Sequence, residues 1–199
     1  MEQIDFFSKD YTYLGVTSID EVHQKGLWHQ TVAFWVFNKK EKVIYLQLRG
    51  PKNRVGPNTF DASSGGHLSS GETKEDGLRE LKEELAIDIS EEKCTYFKMF
   101  HNQVVLPHYI NNEFCHIYFV ETDKSLSDFV LQEGEVSNIF ALNAEDIDSF
   151  LSGKEVEVVA LSQKRKISLK DMCAFKERIQ TGYYMSVFST LKSILTDGN

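Results

Sequence analysis

Gly65-Gly66-His67-Leu68-Ser69-Ser70-Gly71-Glu72-Thr73-Lys74-Glu75-Asp76-Gly77-Leu78-Arg79-Glu80-Leu81-Lys82-Glu83-Glu84-Leu85-Ala86-Ile87 joins a glycine-rich loop directly to a helix. Thr73 and Asp76 have the spacing of a capping box, which starts the helix near Thr73 and lets it run to about Leu85. At about 100° per residue, Glu80, Glu83 and Glu84 share one face as i, i+3 and i+4 neighbours. Leu78, Leu81 and Leu85 cluster on another face and form the stripe that docks the helix. Gly77, a poor helix former inside the pattern, implies close packing at that point. Three adjacent carboxylates repel one another, and packing gives no reason for them. A hard divalent cation does, because Mg²⁺ and Mn²⁺ take oxygen ligands.

The chain of 199 residues suits one domain, with room for an appended helix and a substantial core. A net charge of −8 argues against an electrostatic binder of nucleic-acid polymers. Cys94, Cys115 and Cys173 are odd in number and widely spaced, so the sequence predicts buried thiols in a reducing compartment rather than a disulfide framework. The N-terminal residues have neither a basic nor an apolar leader region, and no run reaches the roughly 20 apolar residues of a membrane span. The expectation is a soluble, cytoplasmic protein without a membrane partner.

No repeat or linker divides the chain. Thr31–Phe37 and Val43–Leu48 are β-branched and aromatic and read as a hairpin about the polar turn 38–42. Residues 50–71 hold seven glycines or prolines and no periodicity, a length at which a loop inside a domain is usually functional. Further strands are expected at Cys94–Phe100, Phe114–Val120 and Val136–Leu142, then a short helix at Ala144–Leu151. Residues 168–195 read as an amphipathic helical tail broken near Gly182. This order indicates an α+β, α/β/α layered domain.

At this point the chain resembles a Nudix hydrolase. The family box is Gly, five residues, Glu, seven residues, then Arg-Glu-x-x-Glu-Glu-x-Gly and an aliphatic residue. Gly66, Glu72, Arg79, Glu80, Glu83, Glu84 and Ile87 fill those places. Six residues rather than seven separate Glu72 from Arg79, and Ala86 stands for the glycine. The resemblance implies a single Nudix domain, with a mixed sheet, a core over about 28–152 and a C-terminal helical extension over about 168–195. Leu27-Trp28-His29, Leu46–Arg49, Asp61–His67, Asn112-Glu113-Phe114 and Glu133–Val136 are similar to the isopentenyl diphosphate isomerase-like branch. Those isomerases carry a cysteine before the Gly-His pair, where this chain has Gly65. They also hold a metal through three histidines and an acid-Asn-acid pair. The candidate histidines here are His23, His29 and His67, and the acid pair reads Asn111-Asn112-Glu113.

The resemblance implies Mg²⁺-dependent hydrolysis (Mn²⁺ serving in its place) of a small-molecule diphosphate. Glu80, Glu83 and Glu84 are the implied metal ligands, with the Gly65 carbonyl a fourth. Arg79 is expected to pair with Glu72 and tie loop to helix. Glu113 is a further ligand or the general base, and Glu133 and Glu135 are alternatives for the base. Arg49 and Lys52 stand where the isomerase branch holds its diphosphate, and His29 and His67 are either metal-site remnants or pocket-lining polar groups. Two other functions compete: an isomerase, disfavoured by Gly65 and Asn111, and a ligand-sensing module, disfavoured by the intact carboxylate set. Many Nudix enzymes dimerise, and Tyr183–Phe188 reads either as such an interface or as core.

Overall fold

The computed structural model describes residues 2–89 and 93–196; Met1, residues 90–92 and residues 197–199 of the expected 1–199 domain lie outside the described residues. The elements are β1 (Gln3–Phe7), β2 (Tyr13–Ser18), α1 (Ile19–Lys25), β3 (Trp28–Asn38), β4 (Val43–Arg49), β5 (Phe60–Asp61) and β6 (Ser64–His67). After the carboxylate helix α2 (Arg79–Leu85) come β7 (Cys94–Leu106), β8 (Tyr109–Glu121), β9 (Val136–Asn143) and α3 (Ile147–Leu151). The chain finishes with β10 (Val156–Val159), β11 (Lys164–Ile167), α4 (Phe175–Gln180) and α5 (Tyr183–Thr196).

The strands form one mixed sheet whose main path is β11-β10-β9-β4-β3-β1-β2. β3 pairs parallel with β8 from Trp28↔Asn112 to Phe37↔Glu121, and its other ladders are antiparallel. β3 is apolar on both faces because both are covered. Val32, Phe34 and Val36 pack with Leu81 and Leu85 of α2, while Ala33, Trp35 and Phe37 share a core with Phe150 of α3 and Val187, Phe188 and Leu191 of α5. The fold is therefore the α+β sandwich with helices on both faces that the sequence indicates. Among the described residues no helix is long and apolar enough to cross a membrane.

Some expectations need correction. The hairpin of β3 and β4 pairs only at Phe37↔Ile44 and Asn38↔Val43, because β6 takes over the edge of β3 and β5 and β9 take the edges of β4. β7 and β8 are longer than expected and pair along a single hairpin from Cys94↔Val120 to Leu106↔Tyr109. The tail is helical only in part: Met172 bridges Phe60 of β5, a turn follows at 173–174, and Gly182, at φ +68°, separates α4 from α5. Tyr183, Tyr184, Val187 and Phe188 are fully buried within this chain, and Trp35 Nε1 donates to Tyr183 Oη at 3.2 Å. These four residues of the run are core, while Met185 between them is exposed. All three cysteines are free thiols; Cys115 and Cys173 are buried and Cys94 half-buried.

The α-helix starts at Arg79 rather than near Thr73 as expected, because the chain before it is held in a turn and a short 3₁₀ segment. Asp76 Oδ2 accepts from Thr73 N at 2.8 Å and Thr73 Oγ1 accepts from Asp76 N at 3.3 Å, a reciprocal cap opening a short 3₁₀ turn at Asp76–Leu78. A Cβ on Gly77 would lie 2.8 Å from both Val32 methyls, which accounts for glycine there. At the far end Ala86 sits at φ +53°, a left-handed cap that favours glycine. Ala86 is exposed and keeps its cap bonds through its backbone. Ala86→Gly should therefore raise the unfolding free energy by about 0.5–1 kcal/mol, measured by urea denaturation; an unchanged or lower stability would contradict this.

Candidate active site

The separation of β3 from β4 opens a cleft of about 390 Å³ in the sheet. Thr31, Val32 and Ala33 line it from β3, Gln47 and Arg49 from β4, and Asp61 from β5. Glu80, Glu83, Glu84 and Arg79 line it from α2, and Gly65, Gly66 and His67 form its glycine-rich strand.

The glycines allow α2 to approach. A Cβ on Gly66 would stand 2.3 Å from Glu80 Oε1, so any other residue would push that carboxylate from its place. Gly65 N donates to Glu84 Oε2 at 3.0 Å. Because the N–H and C=O of one strand residue leave by the same edge, the Gly65 carbonyl also faces the α2 side. A Cβ on Gly65 would lie only 2.5 Å from the Val32 carbonyl oxygen, so this backbone has no room for the cysteine of the isomerases.

Arg79 is the hub of the carboxylates. Its Nε and Nη2 grip Glu72 Oε1 and Oε2 at 2.9 and 3.2 Å, so the shortened junction still pairs the two residues. Nη1 reaches Glu80 Oε1 at 2.6 Å and Glu83 Oε2 at 3.3 Å, and Nη2 also donates to the His67 carbonyl at 3.0 Å. Glu84 is 7 % exposed, and burial lifts its carboxyl to about 7. Burial also raises Glu80, while the paired Arg79 guanidinium holds Glu72 below its usual range. One arginine among three acids leaves excess negative charge in a partly buried place.

A second cluster follows from strand register. Paired residues on neighbouring strands share a face, so Thr31↔His67 and His29↔Glu113 put His67, His29 and Glu113 on one face of the sheet. His23 joins them from α1, stacking on Tyr109 with ring centroids 4.4 Å apart. One nitrogen of each of the three histidines lies within 4.8 Å of the others. All three Nε2 atoms are buried without a hydrogen-bond partner. Burial lowers the basicity of each ring, His23 to about 4, so the cluster is neutral at pH 7. Glu113 is held by the amides of Asn111 and Asn102, at 2.6 and 3.4 Å.

The structure thus gathers Glu72, Arg79, Glu80, Glu83, Glu84, Gly65, Arg49, His67 and Glu113 at or beside one cleft. Three placements differ from expectation. Lys52 is exposed and off the cleft wall, which Asn53 lines in its stead. His29 is fully buried and lies outside the lining, so it faces its fellow histidines rather than a substrate. Glu133 is not among the residues that line the cleft, whereas Glu135 is. Sequence reasoning missed Asn102, Asp61 and Arg178, polar groups that gain meaning only once distant strands and the tail are brought together.

The NUDIX domain family matches residues 27–160. An uncharacterised Nudix hydrolase of Clostridium acetobutylicum is 37% identical over 155 residues, 77% of this chain and 75% of that protein. An isopentenyl-diphosphate Delta-isomerase of Photorhabdus laumondii is 24% identical over 78% of this chain and 87% of its own length. A solved structure from Deinococcus radiodurans shares the fold with a TM-score of 0.56 at 20% identity, covering 77% of this chain and 91% of that one. The chain belongs to the Nudix family and is a hydrolase of pyrophosphate bonds.

The elevated Glu84 sets a pH window. Its folded value near 7 lies above the unfolded carboxylate range, so its contribution to stability is full at low pH and is lost as pH rises through about 7. A bound cation needs the ionised form and removes that loss. The rise in Tm on adding Mg²⁺ should therefore be larger at pH 8 than at pH 6, read by differential scanning calorimetry. An equal rise at both would contradict the assignment of Glu84 to a cation site.

Proposed function

We propose, on the premise that the chain is a Nudix hydrolase, that it cleaves the diphosphate linkage of a nucleoside diphosphate derivative or related organic diphosphate with Mg²⁺, or Mn²⁺ in its place. The observation that carries this reading is the convergence of Glu80, Glu83 and Glu84 on one wall of the cleft, with the edge of Gly65 facing them. Three oxygen-donor side chains with excess negative charge fit a hard divalent ion. Such an ion, when bound, neutralises the diphosphate and lowers the pKa of a coordinated water.

The chain's own residues supply the rest. Glu72 fixes the guanidinium plane of Arg79, and Arg79 orients Glu80 and Glu83. Gly65 N orients Glu84. Arg49 faces the cleft with its fork anchored on Val55 O, Asp61 and Asn53, ready to hold a phosphoryl oxygen. Glu113 and Glu135 are the cleft carboxylates outside α2 that can take a proton from attacking water. The three unpartnered Nε2 atoms of His23, His29 and His67, with Glu113 beside them, fit a cation that accepts imidazole ligands, such as Zn²⁺. Alkene isomerisation is the weaker reading, since Gly65 offers neither a thiol nor space for one.

Glu83 is half-exposed, so its amide variant removes charge without disturbing the core. Glu83→Gln should lower turnover by about 10²-fold or more at unchanged Tm, assayed with Mg²⁺ on a panel of nucleoside diphosphate derivatives and organic diphosphates. A fully active, Mg²⁺-dependent Glu83→Gln enzyme would overturn the assignment.

A further inference from the structure

The tail beyond the family domain also reaches the cleft. The segment leading into α4 runs against β5, with Met172 bridging Phe60 and Cys173 N donating to Phe60 O at 2.6 Å. This docking brings Arg178 of α4 beside Asp61, and Arg178 lines the cleft. Arg178 Nη1 donates to Asp61 Oδ1 at 2.6 Å and to Tyr184 Oη at 3.3 Å, and the guanidinium lies 5.0 Å from the centre of the Tyr183 ring. Arg49 Nη1 donates to the other oxygen, Asp61 Oδ2, at 3.2 Å. One carboxylate therefore bridges two guanidiniums.

The charge does not balance. Asp61 is buried, and the two arginines hold its carboxyl ionised against that burial. Two cations and one anion leave an excess positive charge, and the Arg178 side chain is 11% exposed. Its Nε is buried without a hydrogen-bond acceptor. A mostly buried arginine with an idle donor is expensive as a tether alone, because buried donors are ordinarily satisfied. Gln47 and Asn53 add neutral polar groups to the same wall, and Glu135 stands at the exposed side. The acidic wall of α2 suits a cation, and this wall suits an anion.

We infer that Arg178 and Arg49, bridged by Asp61, form a subsite for the terminal phosphate of the substrate. The inference rests on the diphosphate-hydrolase reading and narrows its substrate class. A terminal phosphate carries close to two negative charges at pH 7, one more than an esterified phosphoryl group, and planar guanidinium forks bind it through paired N–H groups. The wall therefore favours substrates ending in a free phosphate over diphosphates esterified at both ends.

The test is isothermal titration in the presence of Mg²⁺ with methylenediphosphonate, which cannot be hydrolysed at its bridge, and with its P,P′-dimethyl ester. Arg178→Met should weaken methylenediphosphonate by about tenfold or more and the diester by much less, with Arg178→Lys falling between. Binding of both probes within twofold of wild type, or equal weakening of both, would overturn the subsite and leave Arg178 as a tether of the tail. If Arg178→Met does not fold, arginine ¹⁵Nε–H spectra of the wild-type protein decide, with the Arg178 signal assigned from Arg178→Lys. A shift of that signal on adding methylenediphosphonate supports the subsite, and no shift overturns it. Glu83→Gln separates this inference from its premise: retained Mg²⁺-dependent binding in that variant, together with loss in Arg178→Met, would sink the α2 metal site while upholding the subsite.

Discussion

A buried carboxylate needs a positive partner, and among the described residues Glu84 forms no ion pair, with Arg49 only a distant influence. It accepts from the neutral backbone amide of Gly65, and the guanidinium at the head of α2 is taken up by Glu72, Glu80 and Glu83. The protein answers this deficit by raising Glu84 to about 7 and by placing Arg79 across the other acids. In the proposed function, a divalent cation resolves the deficit more fully. The glycine pair beneath α2, the cap that starts the helix and the ion pair that fixes Arg79 all hold these acids close together rather than letting them spread.

The same sheet supplies the other side of the site. Because β3 parts from β4 after two pairs, its outer edge is free for β6, and a cleft forms between strands that would otherwise be hydrogen-bonded. Parallel pairing with β8 then sets Glu113 opposite His29. Bringing the tail back along β5 closes the far wall with Arg178 and Asp61. The result is a polarised cleft, with acids on the helix side and two arginines on the other.

The carboxylate helix was legible because its signal is local: three acids and three leucines at helical spacing, between a cap and an aliphatic stop. Strands β3, β4, β8 and β9 were legible from dense β-branched and aromatic runs. The polar half of β7, His101-Asn102-Gln103, shows no such run and becomes a strand only by pairing with β8. α1 and β1 are short, and no local pattern joins His23 to His29; Gly26, at φ +65°, turns the chain back to bring them together. Asp61 and Arg178 lie 117 positions apart and no local pattern joins them. What the sequence left hidden was register and long-range return, not chemistry.

The account turns on where a divalent ion sits, and anomalous diffraction from crystals of the protein soaked in Mn²⁺ answers that directly. It predicts a Mn²⁺ peak ligated by carboxylate oxygens of Glu80, Glu83 and Glu84, with Arg79 Nη1 drawn away from Glu83. Mn²⁺ bound solely among His23, His29 and His67, with the α2 carboxylates still paired to Arg79, would contradict it.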